Sequence, residues 1–152
     1  MNRKDPNARF SKTSINELID LAKKEELNNN YFEAIRLYSL VIKKNNERND
    51  NSYTSAWFLR GKLNLKLRKY RDAKYDLGIC ISICQENMEP LYKAIHKPLF
   101  KSVFLRCIAN LMLNDEAYLN DWVYIQKSQS YRHLFFIRGL NYSLKNETKK
   151  AL

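Results

Sequence analysis

Residues 56–81, AWFLRGKLNLKLRKYRDAKYDLGICI, decide the fold. Trp57, Gly61 and Leu65 fall four apart, and after Arg68 and Lys69 the positions Tyr70, Ala73, Leu77, Cys80 and Ile81 keep three- and four-residue steps. Apolar positions at that period line one side of an α-helix, so the stretch reads as two helices and a turn. Upstream, Leu18, Leu21 and Ala22 precede a break at residues 28–30, and Ala34, Ile35, Tyr38, Val41 and Ile42 follow it. That is the same scheme. The 152 residues hold only three glycines and three prolines, and neither occurs in residues 7–60 or 99–138. Hairpin turns of β-proteins draw on both residues, so a sandwich or barrel is excluded and an all-α single domain is expected.

Within this stretch Trp57, Gly61 and Ala73 resemble the tetratricopeptide repeat, which has an aromatic residue, a small residue four later and an alanine twelve beyond. Leu67, Tyr70, Asp76 and Leu77 extend the likeness. Residues 31–38, YFEAIRLY, resemble the second helix of such a repeat, and Ala22 and Ala34 again stand twelve apart. Phe104, Leu105, Arg106 and Cys107 stand as Phe58, Leu59, Arg60 and Gly61 do, but Ala117 follows Cys107 by only ten. Phe135, Arg138, Gly139, Tyr142 and Ala151 form a last, unfinished copy. The resemblance implies antiparallel helix pairs stacked as a short right-handed solenoid, with copies near residues 15–44, 54–84, 100–128 and 132–152. Residues 1–14 are then a flexible basic segment. Ala22, Ala34, Tyr38, Trp57, Gly61, Ala73, Cys107 and Gly139 become packing positions where helices cross closely. The markers Ala22, Gly61, Cys107 and Gly139 lie 39, 46 and 32 apart. Against a family period of about 34 residues, two connections are lengthened. Polar residues 45–52 are expected as an exposed loop, and Pro90 and Pro98 mark the second break.

The formal net charge is +11, made of +2 over residues 1–52, +3 over 53–90 and +6 over 91–152. Such a surplus favours acidic partners by long-range attraction. The first 14 residues carry no apolar core, so no secretory signal is read there; a cytoplasmic protein is expected, with a faint likeness to an organelle transit segment. Cys80, Cys84 and Cys107 are an odd number and fit reduced, buried thiols better than a disulfide framework. His96 and His133 have no neighbour at ligand spacing, so no metal is expected, and no other cofactor. No nucleophile-elbow, zincin or phosphate-loop motif is present. A Cys107/His133 dyad is outweighed by burial of Cys107 at a packing position. The expectation is a non-enzymatic protein.

In the family, the first helices of the repeats line a concave groove that holds a peptide. The resemblance therefore implies a groove lined by Lys23, Phe58, Lys62, Lys66, Lys101, Phe104, Met112, His133 and Phe136. Its mixture of cations and aromatics suits an acidic or amphipathic protein segment. The chaperone-tail clamp known in part of the family is disfavoured, because Ile19, Leu59 and Leu105 stand where its polar residues would be. Nucleic acid is the alternative. Lys62, Lys66, Arg68, Lys69, Arg71 and Lys74 put six cations in 13 residues beside Tyr70 and Tyr75. Phe135 and Phe136 near an unfinished repeat imply self-association or a place in a larger complex.

Overall fold

A computed structural model describes residues 10–47, 54–86 and 97–127, the side chains of residues 97 and 98 excepted. These residues form six α-helices and no strand: α1 (Ile15–Leu27), α2 (Tyr31–Glu47), α3 (Thr54–Lys66), α4 (Tyr70–Glu86), α5 (Lys97–Met112) and α6 (Tyr118–Lys127). The all-α expectation holds for them. Each helix packs on the next in sequence, and α3 also touches α5.

Helix α1 begins where Ser14 accepts the Glu17 amide and the Glu17 carboxylate accepts the Ser14 amide, a reciprocal cap for two amides that lack helical partners. The two hydrogen bonds to Ser14 hold the Glu17 carboxyl below the usual range. All three helix pairs close with one turn. Asn29, Arg68 and Asn114 each adopt a left-handed backbone, with φ of 61°, 60° and 53°. In each, the amide after the left-handed residue donates five residues back: Asn30 to Glu25, Lys69 to Asn64, Asp115 to Asn110. This satisfies carbonyls at the helix end that no helical amide reaches.

The first core joins Ile15, Leu18, Ala22, Ala34, Leu37, Tyr38 and Val41 to Ala56 and Leu63 of α3. A second gathers Ile81 of α4 with Leu99, Val103, Cys107 and Leu111 of α5 and Ile125 of α6. Phe10 packs on the first core, and Lys44 Nζ donates to the carbonyls of Ser11 at 3.0 Å and Thr13 at 2.8 Å. Residues 10–14 are thereby held on α2.

The polar run at residues 45–52 does not start a loop at Asn45. Helix α2 continues to Glu47 and buries Asn45, which stands four residues after Val41 on the same apolar side. Pro98 lies in the first turn of α5, where a missing amide removes no helical hydrogen bond. Ala117 stands in the turn before α6 and not within that helix. The expected fourth copy, with His133, Phe136 and Gly139, lies outside the described residues.

Candidate interaction surface

The second and third hairpins share a buried polar clamp. On α3 and α4, Arg60 Nε and Nη2 donate to the two Asp76 carboxylate oxygens at 2.9 and 2.7 Å, and Asn64 Nδ2 donates to Asp76 Oδ2 at 3.0 Å. On α5 and α6, Arg106 Nε and Nη2 reach Asp121 at 3.2 and 2.5 Å, with Asn110 Nδ2 again at 3.0 Å. Both aspartates are 2% exposed. Bidentate pairing plus an amide donor offsets the desolvation of a buried carboxylate. Sequence reading noticed Phe-Leu-Arg followed by a small residue in both helices, but not the Asn four residues beyond each Arg. That Asn, with an Asp 16 or 15 residues after the Arg, is the signal that would have found the clamp. The first hairpin has no such clamp at the corresponding positions, where Leu21 and Glu25 stand on α1.

Of the residues expected at packing positions, Ala22, Ala34, Tyr38, Gly61, Ala73 and Cys107 are buried and Trp57 is half-buried. Trp57 lies edge-on to Tyr75 at 6.2 Å and beneath the Arg60 guanidinium at 5.0 Å. The thiols sit in apolar surroundings. Burial pushes Cys80 and Cys107 up to about 12 and raises Cys84 as well, which leaves them protonated and weakly nucleophilic near neutrality. Among the described residues no cluster of three or more His, Cys, Asp or Glu side chains could hold a metal ion.

The expected groove residues fall into two sets. Lys62 forms an ion pair with Glu26 of α1 at 2.6 Å, and Lys66 Nζ donates to the Tyr31 hydroxyl at 2.5 Å while lying over that ring at 4.1 Å. The Tyr31 hydroxyl in turn donates to Asn29 Oδ1. These lysines tie α3 to the first hairpin. Lys23 and Lys101 are exposed, as is Met112, while Phe58 and Phe104 are half-buried. On α5, Lys101, Phe104, Ile108 and Met112 stand at helical spacing along one side. Phe104 also stacks with Phe100, the ring centroids 6.4 Å apart.

The basic run from Lys62 to Lys74 does not form one track. It spans α3, the turn and α4, and four of its six cations have partners within the chain: Lys62 and Lys66 as above, Lys69 over the Phe32 ring at 5.1 Å, and Lys74 with Asp115. The Lys74 hydrogen bond holds the Asp115 carboxyl below its usual range. Arg68 and Arg71 are exposed.

Two recesses follow the clamps. One of about 280 Å³ lies beside Ile35, Ser39, Arg60, Asn64, Asp72 and Asp76. The other, of about 520 Å³, lies beside Arg71, Lys74, Gly78, Arg106, Asn110 and Asp121. No helix among the described residues is long and apolar enough to cross a membrane. No protein-family model, curated protein or solved structure matches the chain.

Proposed function

We propose that the chain is a short tetratricopeptide-like stack of helical hairpins that works as a non-enzymatic adaptor or assembly factor, holding an acidic or amphipathic protein segment. The observation that supports this most is the placement of the first helices side by side. Lys62 of α3 pairs with Glu26 of α1 at 2.6 Å, and α3 touches α5. A surface shared by those helices carries Lys23 and Lys101 as exposed cations and Met112 as an exposed apolar group, with Phe58 and Phe104 between. Carboxylates of a partner then meet cations that have no closer use, while its apolar side chains meet Phe and Met. Binding is by complementarity alone.

The test compares the intact chain with a Lys23→Gln, Lys101→Gln variant, titrated with an acidic amphipathic peptide and with a single-stranded oligonucleotide of equal charge. Preference for the peptide, weakened in the variant, supports the adaptor. Equal or tighter binding of the oligonucleotide contradicts it.

A further inference from the structure

The two recesses occupy corresponding places in successive hairpins, so one serves as a control for the other. In the smaller, Arg60 Nη1 donates to Ser39 Oγ on α2 at 2.9 Å, which completes the hydrogen bonding of that guanidinium. The position on α4 that corresponds to Ser39 is Gly78. A Cβ placed there would meet Arg106 Nη1 at 4.0 Å as its nearest neighbour. No hydroxyl is available, and Arg106 uses Nε and Nη2 on Asp121 while Nη1 has no acceptor among the described residues. The recess beside it is nearly twice as large.

The charges differ too. The smaller recess is lined by two acids, Asp72 and Asp76, against Arg60 and Lys69. The larger has Asp121 as its sole lining acid, against Arg71, Lys74 and Arg106, with Ala117 at the place of Asp72. Helix α4 presents Arg71 and Lys74 where α2 has Phe32 and Ile35. The wall also holds an acceptor: the buried Asn110 Oδ1 has no hydrogen-bond partner. An unused guanidinium edge, surplus positive charge and an amide oxygen lacking a donor call for a ligand that brings both an anionic oxygen and an N–H.

We infer that the recess between α4, α5 and α6 is a binding site for an acidic residue of a peptide. Its carboxylate accepts from Arg106 Nη1 beside Arg71, and its backbone N–H donates to Asn110 Oδ1. The inference rests on the adaptor reading and places one contact of the partner outside the surface of the first helices.

Gly78→Ser tests this without altering any charge. The serine hydroxyl takes the place that Ser39 has beside Arg60, satisfies Arg106 Nη1 and narrows the recess. The probe is a fluorescent glutamate-rich peptide of about eight residues titrated into the full chain. Gly78→Ser and Arg71→Gln are expected to weaken it by about tenfold or more, and Lys43→Gln, an exposed cation elsewhere on α2, by less than about twofold. Circular dichroism confirms that each variant is folded. Unchanged binding in Gly78→Ser with a loss in Lys23→Gln, Lys101→Gln overturns the recess and leaves the adaptor reading intact. Equal losses in every charge variant and none in Gly78→Ser reduce the binding to general attraction and overturn the recess. Absence of peptide binding overturns both readings. Inorganic phosphate that binds in place of the peptide with the same sensitivity to Gly78→Ser overturns the peptide assignment.

Discussion

Arg60 and Asp76 face each other across α3 and α4 in a two-pronged ion pair at 2.9 and 2.7 Å, with the carboxylate 2% exposed. Removing one side of such a pair leaves a buried charge without compensation. Asp76→Ala also strands Asn64 Nδ2, and Ser39 then holds the only remaining described hydrogen bond of the Arg60 guanidinium. A loss of about 3–5 kcal/mol is expected in urea unfolding. The double variant Arg60→Met, Asp76→Leu is expected to lose much less, because neither charge then remains buried. Asp121→Ala should behave like Asp76→Ala, since Arg106 and Asn110 serve it in the same geometry.

The two described glycines should respond in opposite directions. A Cβ at Gly61 would lie 2.9 Å from Leu77 Cγ and 3.1 Å from Asp76 Cβ, in the tightest crossing of α3 with α4. Gly61→Ala is therefore expected to destabilise by about 1–3 kcal/mol despite its better helix propensity. Gly78 has open space around its Cβ direction. Gly78→Ala should stabilise by about 0.8–1.0 kcal/mol, the propensity gain alone. Denaturant midpoints of the two variants, measured side by side, check both signs.

At the turns, the left-handed position falls to Asn in two hairpins and to Arg68 in the other. Asn tolerates that conformation better than Arg because its short amide can hydrogen-bond locally. Arg68→Gly should raise stability by up to about 1 kcal/mol, and Asn29→Gly by less. Thermal melts of the two variants against the parent decide this.

Alkaline pH should weaken the fold through its thiols. Cys80 and Cys107 stay protonated to about 12 in the folded chain, raised from an ordinary value of 9.0 by burial. Above that lower value the unfolded chain releases protons that the folded chain retains, so stability falls as pH rises from 9 toward 12. A Cys80→Ala, Cys107→Ala variant lacks this part of the loss. Its stability deficit relative to the parent should shrink across that window when both are unfolded in urea.

Helical periodicity made α1 to α4 legible, because apolar steps of three and four residues translate directly into one buried side. The breaks at residues 28–30 and at Arg68–Lys69 were legible for the same reason, as the periodic runs stop there. The end of α2 was not: Asn45 is polar, yet it continues the side of Val41 and is buried. Partner choice was the larger gap. Lys62 finds Glu26 and Lys74 finds Asp115 across 36 and 41 residues of sequence, and a local count of cations cannot register either pairing. The Arg-Asn-Asp clamp escaped notice because its members sit on two helices, and only superposition of the hairpins shows that the pattern occurs twice.

The most direct test of the adaptor account is an amide-resolved NMR titration of the intact chain with an acidic amphipathic peptide at moderate salt. The account predicts saturable shifts concentrated at Lys23, Phe58, Lys101, Phe104 and Met112, on one connected surface of α1, α3 and α5. Shifts scattered over exposed lysines such as Lys12, Lys24 and Lys43, without saturation, would contradict it.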